Sequence, residues 1–243
     1  MYEPHKYFDT PPNETTVYKY MSFAKFVYLL QYKKLYFTRL DHLEDEGEGI
    51  IEDPFSQQDK SRESYLRINK YVNCWHINQH QSEAMWKLYG GIRSEGVAVK
   101  SSVGGIKRAI AKDSTPVWIG RIDYNKDPQK LNDEVLHSFY PQVLYKRKIF
   151  EHEKELRLCV SSPLNANPPP YLITGLPHIK DTRKLSRLIV DEQLYAKKIL
   201  VKVDLSSLID EVVVGNCWLK PLTEKMIKAK RLKCAVISSI SKV

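Results

Sequence analysis

Residues 71–100, YVNCWHINQHQSEAMWKLYGGIRSEGVAVK, hold the pattern on which the fold turns. β-Branched and aromatic residues predict a strand over 71–76, Ser82 and Glu83 open a helix over 82–89, and aliphatics predict a second strand over 96–100. Gly90 and Gly91 end the helix, because glycine takes up positive backbone dihedrals at little steric cost. The same stretch is chemically loaded: Trp75, His76, His80, Trp86 and Tyr89 offer flat rings with polar tips, suited to lining a small concave site. Trp86 and Tyr89 are three apart on one helix face, a spacing that core packing explains equally well.

Upstream, Val17–Tyr20 suits a short strand, and Ser22 caps a helix whose apolar face is Phe23, Phe26, Val27, Leu29 and Leu30. That helix should stop near Tyr32-Lys33-Lys34, with a second strand over Leu35–Thr38 ending at Arg39. An acidic stretch with seven carboxylates between Asp41 and Asp53 reads as loop, followed by a short helix around 59–69. Residues 1–16, rich in Pro, Asn and Thr, form an extended leader that drapes on the body or frays.

Downstream, the pattern predicts a helix near 103–112, a strand at 117–124, a helix at 131–140 and a strand at 153–160. Residues 161–182 hold five prolines and form an irregular excursion, with a small strand at 171–174. Strands at 186–190, 198–203 and 211–214, a helix at 219–230 and a strand at 234–238 complete the chain. This irregular order, without repeated βαβ units, predicts an α+β fold: a single domain over 17–243 with a mixed central sheet flanked by helices.

At 243 residues, 42% hydrophobic and 28% charged, the composition is that of a soluble globular protein. A net charge of +9 favours an acidic partner, a nucleotide or nucleic acid. Four cysteines without a CxxC pair suit reduced thiols in a cytoplasm, and no apolar run is long enough to span a membrane.

The segment 151–157, EHEKELR, is the second loaded stretch. Glu151, Glu153, Glu155 and Arg157 fall two apart, which in a strand puts them on one face. Three adjacent carboxylates repel and raise one another's pKa unless a cation intervenes, so Arg157 or Lys148 is expected beside them. A solvated edge strand would carry the same charges. Leu156, Leu158 and Val160 anchor the segment in the core, however, and a polar face on a core strand suits a cleft wall.

The order YKYMS, LYFTRLD, EDPF, CWH, MWKLYGG and EHEKELR resembles a widespread bacterial domain-of-unknown-function family, from Tyr18 to about Ser238. A second, more distant resemblance is to ADP-ribosyltransferases, which open with strand, helix and strand and place a catalytic Glu, sometimes as Glu-x-Glu, on a late strand. That resemblance implies an ADP-ribosyltransferase-like fold, NAD as substrate, and Glu153 and Glu155 as the catalytic pair. It departs from the pattern where Lys19 or Tyr20 stands in place of the His or Arg that clamps the dinucleotide. Tyr18, Lys19, Tyr20, Arg39, Trp75, His76, Trp86, Tyr89 and Arg157 would then bind substrate or cofactor, and the chain would modify nucleic acid or protein as a defence or toxin component. Splitting nicotinamide from ribose develops positive charge on the sugar, which a carboxylate bonded to a ribose hydroxyl stabilises.

Other functions stay open. A non-enzymatic module could hold nucleic acid or a nucleotide through its aromatics and the basic 225–233 stretch. A metal-dependent nuclease is a third, although a Glu or Asp two residues before a Lys is missing from the 151–157 cluster. Cys74, His76 and His80 form C-x-H-x3-H, a fragment of a zinc pattern without a fourth ligand, and no metal is expected.

Overall fold

Strand pairing organises the molecule around β3 (Lys70–Ile77). In the computed structural model, which describes residues 1–43, 45, 67–90, 95–125, 141–161 and 197–239, one edge of β3 runs antiparallel along β6 (Glu155–Ser161). Its other edge is shared. β1 (Thr16–Ser22) meets it at Val17↔Ile77 and Tyr18↔His76, whereas β2 (Lys34–Arg39) meets it at Thr38↔Val72 and Arg39↔Tyr71. The sheet therefore forks at β3. One arm continues from β1 through β4 (Gly96–Ser102), β8 (Glu211–Val214) and β9 (Ala235–Ser238), and the other runs from β2 to β7 (Lys198–Lys202). β5 (Trp118–Arg121) lies beyond β6. β8 and β9 pair in parallel and the remaining pairs are antiparallel, so the sheet is mixed, as expected for this α+β pattern.

Helix α1 (Phe23–Tyr32) joins the two arms. The Ser22 hydroxyl caps it by accepting from the Lys25 amide, and Lys33 ends it at φ 53°, donating to the Leu29 carbonyl and turning the chain into β2. Its buried residues Phe26, Leu29 and Leu30 enter the main core with Leu35, Phe37, Trp75, Val97, Val99, Leu156 and Leu158. Burying such a side chain contributes roughly 1.5–3 kcal/mol, which holds α1 against both arms. Helix α2 (Glu83–Tyr89) crosses the opposite face of the sheet. Helix α3 (Val103–Ala109) packs on α5 (Leu205–Leu208) so closely that a Cβ at Gly105 would lie 2.9 Å from the Ser207 carbonyl oxygen. The short α4 (Pro141–Leu144) lies by β6, and α6 (Lys220–Ala229) precedes β9.

The face away from the main core carries two smaller apolar clusters. One gathers Phe8, Leu40, Val72, Val143 and Cys159, and the other Tyr18, Tyr20, Met85, Ala98 and Val213. Between them stand Cys74, which packs on the first cluster, and the polar His76, Arg157 and Glu155 of β3 and β6.

Several sequence expectations need correction. The helix expected to reach 112 ends at Ala109, and the strand at 117–124 shortens to Trp118–Arg121. The strand expected from 153 starts at Glu155. Most of the helix at 59–69 and all of the elements at 131–140, 171–174 and 186–190 lie outside the described residues. Residues 1–10 drape along the β5 side, where Tyr2 bridges to Val117, Phe8 is buried and Thr10 donates to the Ile119 carbonyl, whereas Asn13 and Thr15 accept from the Gly104 and Val103 amides of α3 and Thr16 already belongs to β1.

Candidate active site

Lys154 is the local cause of the site's shape. Its φ of 40° lies in the left-handed region, which closes the 3-10 turn Lys148–Glu153 and starts β6 one residue later. The end of β3 holds this turn in place, because the Ile77 amide donates to the Lys154 carbonyl at 2.9 Å and His76 Nδ1 bonds the Glu153 carbonyl. The expectation that Glu151, Glu153, Glu155 and Arg157 share one strand face is therefore overturned. Glu151 is exposed and pairs with Lys148 at 2.7 Å, while Glu155 and Arg157 stand on the strand opposite His76 and Cys74.

Glu153 and Glu155 nonetheless converge. Lys146 Nζ lies 2.6 Å from Glu153 Oε2 and 3.5 Å from Glu155 Oε2. Arg157, fully buried, grips Glu155 with both prongs, Nε to Oε1 at 2.7 Å and Nη2 to Oε2 at 3.0 Å, and its Nη1 donates to the Val143 carbonyl. Two cations thus neutralise two buried carboxylates. Burial alone would raise the Glu155 pKa, but Arg157 and Lys146 hold it down to about 2. The Tyr124 hydroxyl accepts from the Glu155 amide at 2.9 Å; burial first, and then the Glu155 charge, push that phenol well up.

The mouth of the cluster is Tyr89. Its hydroxyl donates to Glu153 Oε1 at 3.0 Å, and 39% of the residue is exposed. Burial and the Glu153 charge raise its pKa, so it remains a neutral donor at physiological pH. Tyr20 seats the helix that carries it: the Tyr20 hydroxyl accepts from the Ser82 amide at 2.8 Å, and its ring meets Trp86 edge-on at 5.1 Å. Tyr89, one turn beyond Trp86, then reaches Glu153.

His76 is fully engaged. A carbonyl only accepts, so Nδ1 carries the proton toward Glu153, and Nε2 accepts from Asn78 Nδ2 at 3.2 Å. Burial lowers its pKa, keeping the imidazole neutral. Burial, then the neighbouring Glu155 charge, drives the Cys74 thiol up and keeps it protonated.

Glu153, Glu155, Arg157, His76, Tyr18, Tyr20, Trp86 and Tyr89 are thus gathered on or over one sheet face. Three other named residues are not. Trp75 faces the main core and donates to Asn73 Oδ1. Lys19 alternates with Tyr18 and Tyr20, and its ammonium enters the gap where β1 parts from β3, donating to the Cys74 carbonyl at 2.8 Å. Burial there lowers its pKa to about 8. Arg39 is buried near the far end of β3, bound to Asp41 through Nε and Nη2. Sequence reasoning missed Lys146, Tyr124 and Asn78. The expected cations are in place, Arg157 on Glu155 and Lys148 on Glu151, but the one that bridges Glu153 and Glu155 is Lys146. Among the described residues, no group of three or more His, Cys, Asp and Glu is arranged to hold a metal ion.

No family model matches the chain, and no curated protein matches it. The resemblance to a bacterial family therefore stands on the motifs alone. Two solved structures of Thermus sp. 2.9 DarT are similar at 12% identity. The one in complex with carba-NAD+ covers 94% of this chain and 97% of that chain at a TM-score of 0.38. The one in complex with ADP-ribosylated ssDNA covers 96% and 97% at a TM-score of 0.40. Among the described residues, no helix is long and apolar enough to cross a membrane.

Proposed function

We propose that the chain is an NAD-consuming, ADP-ribosyltransferase-like enzyme that modifies nucleic acid or protein, acting as a defence or toxin component. The observation that carries this reading is the Tyr89–Glu153–Lys146–Glu155–Arg157 constellation: a buried, cation-supported carboxylate that also accepts from a partly exposed phenol. Glu155 has both oxygens bound by Arg157 and serves as a fixed anion that positions Lys146. Glu153 is the reacting group. A ribose hydroxyl of NAD replaces the Tyr89 hydroxyl on Glu153 Oε1, and the carboxylate then stabilises the sugar cation that forms as the glycosidic bond breaks. Nicotinamide leaves neutral with the electron pair of that bond. The acceptor's nucleophile bonds to the vacated sugar carbon, and its proton passes to Glu153.

Tyr18, Tyr20 and Trp86 wall the site, and neutral His76 latches the Glu153 turn. Lys19, Trp75 and Arg39, turned to other partners, are outside this machinery. NAD labelled in its adenylate half, incubated with single-stranded DNA, RNA or protein, tests the assignment. Label should move to one of these acceptors and persist in the presence of a chelator. No transfer to any acceptor or to water would overturn it, and chelator-abolished cleavage of nucleic acid would favour a metal nuclease.

A further inference from the structure

The β2–β7 ribbon is the arm of the fork that the site leaves unused. Leu35, Phe37 and Val201 point into the main core, so Lys34, Tyr36 and Thr38 on β2 share the outer face with Lys198, Leu200 and Lys202 on β7. Lys34 stands directly opposite Lys202, and Thr38 opposite Lys198. Like charges facing each other across an antiparallel pair repel, and among the described residues no ion pair relieves any of these three lysines. Tyr36 stands between them on β2, 44% exposed, with Lys198 Nζ 5.4 Å from the centre of its ring.

Register ties this surface to the site. Thr38 pairs with Val72, and two and four residues further along the same face of β3 stand Cys74 and His76, opposite Arg157 and Glu155. The outer face of the ribbon therefore continues the sheet face that bears the carboxylates.

We infer that the outer face of the β2–β7 ribbon binds single-stranded nucleic acid, with backbone phosphates on Lys34, Lys198 and Lys202 and a base against the Tyr36 ring. Three lysines on one face are complementary to phosphates, and a solvent-facing aromatic suits an unstacked base, which a duplex does not present. Resting on the transferase reading, the strand held here is the acceptor, delivered along one sheet face toward Glu153.

Fluorescence anisotropy of a labelled single-stranded oligonucleotide, measured without NAD across a salt series, tests the surface. Wild-type binding should weaken steeply with salt. Lys198→Ala/Lys202→Ala should weaken it about tenfold and reduce the log–log salt slope by about 1.4, the value for two lost phosphate contacts on a single strand. Tyr36→Ala should weaken it about tenfold with the slope unchanged. Lys225→Ala/Lys228→Ala, which removes two exposed charges from α6, is the control for overall charge and should leave binding near wild type. Equal affinity in the ribbon variants and wild type, equal loss in the α6 control, or tighter binding to duplex DNA or to anionic lipid vesicles would overturn the inference. Because the readout needs no NAD, a chain that binds through the ribbon yet never releases nicotinamide would contradict the enzyme reading and leave this one standing.

Discussion

Glu153 and Glu155 are two residues apart in sequence and differ in how firmly they are held. Glu155 is bound by Arg157 and Lys146 and is a stability element. Replacing it, as Glu155→Gln, leaves the buried Arg157 guanidinium without its carboxylate and should cost about 3–5 kcal/mol, read from urea denaturation. Its folded pKa of about 2 lies below the ordinary 4.5, so its contribution of roughly 3 kcal/mol is complete above pH 4.5 and is lost as pH falls toward 2. Acid unfolding should accordingly shift to higher pH on weakening the cluster with Lys146→Met. In the proposed reaction, by contrast, Tyr89 gives up its place on Glu153 to a substrate hydroxyl, so Tyr89→Phe should keep the rate of nicotinamide release within about tenfold of wild type. At this scale the sequence named both carboxylates, Arg157, His76 and Tyr89. It could not name Lys146 as the bridging cation, since nothing in a run of three basic residues says which one turns inward.

Among the elements, the decisive one is the turn at 148–154 rather than a strand. Carboxylates two apart imitate strand alternation, and the sign of a tighter helix was the Lys148–Glu151 pair at i, i+3. The left-handed Lys154 left no such sign, because a lysine in that region is chosen by the bonds that His76 and Ile77 make to the turn. Glycine relieves that conformation and a β-branched residue resists it. Lys154→Gly should therefore leave stability within about 1 kcal/mol of wild type with the site intact, whereas Lys154→Val should destabilise by about 1–2 kcal/mol and lower activity by displacing Glu153. Thermal denaturation and nicotinamide release together separate these outcomes. By comparison, α1 and α2 were legible because Ser22 and Ser82 are both cap residues and both cap their helices as the sequence implied.

For the whole molecule, the opening strand-helix-strand and the mixed sheet followed from the alternation of apolar segments, but the fork did not. Sharing one edge of β3 between β1 and β2 is a pairing choice made by tertiary packing, with α1 filling the wedge. The fork takes in one of two buried lysines, Lys19, and the other, Lys70, lies on the β6 edge of β3. Lys19 meets the Cys74 carbonyl, and Lys70, 3% exposed, donates to Ser161 at 2.7 Å; burial lowers each to about 8 from an ordinary 10.5. A lysine with a depressed folded pKa favours the folded state more as pH rises from its folded toward its unfolded value. Stability should thus climb between pH 8 and 10.5, by on the order of 3 kcal/mol for Lys70, and Lys70→Met should flatten that rise in urea midpoints. In the proposed reaction, the buried carboxylate behind Tyr89 supports cleavage of the nicotinamide bond of NAD. Nicotinamide release by wild-type chain and by Glu153→Gln, each with single-stranded nucleic acid present, tests it most directly. The account predicts release by wild type and a loss of about 10²–10³-fold in the variant, both measured at a temperature where circular dichroism shows the two chains folded. No release by wild type, or equal release by both, would contradict it.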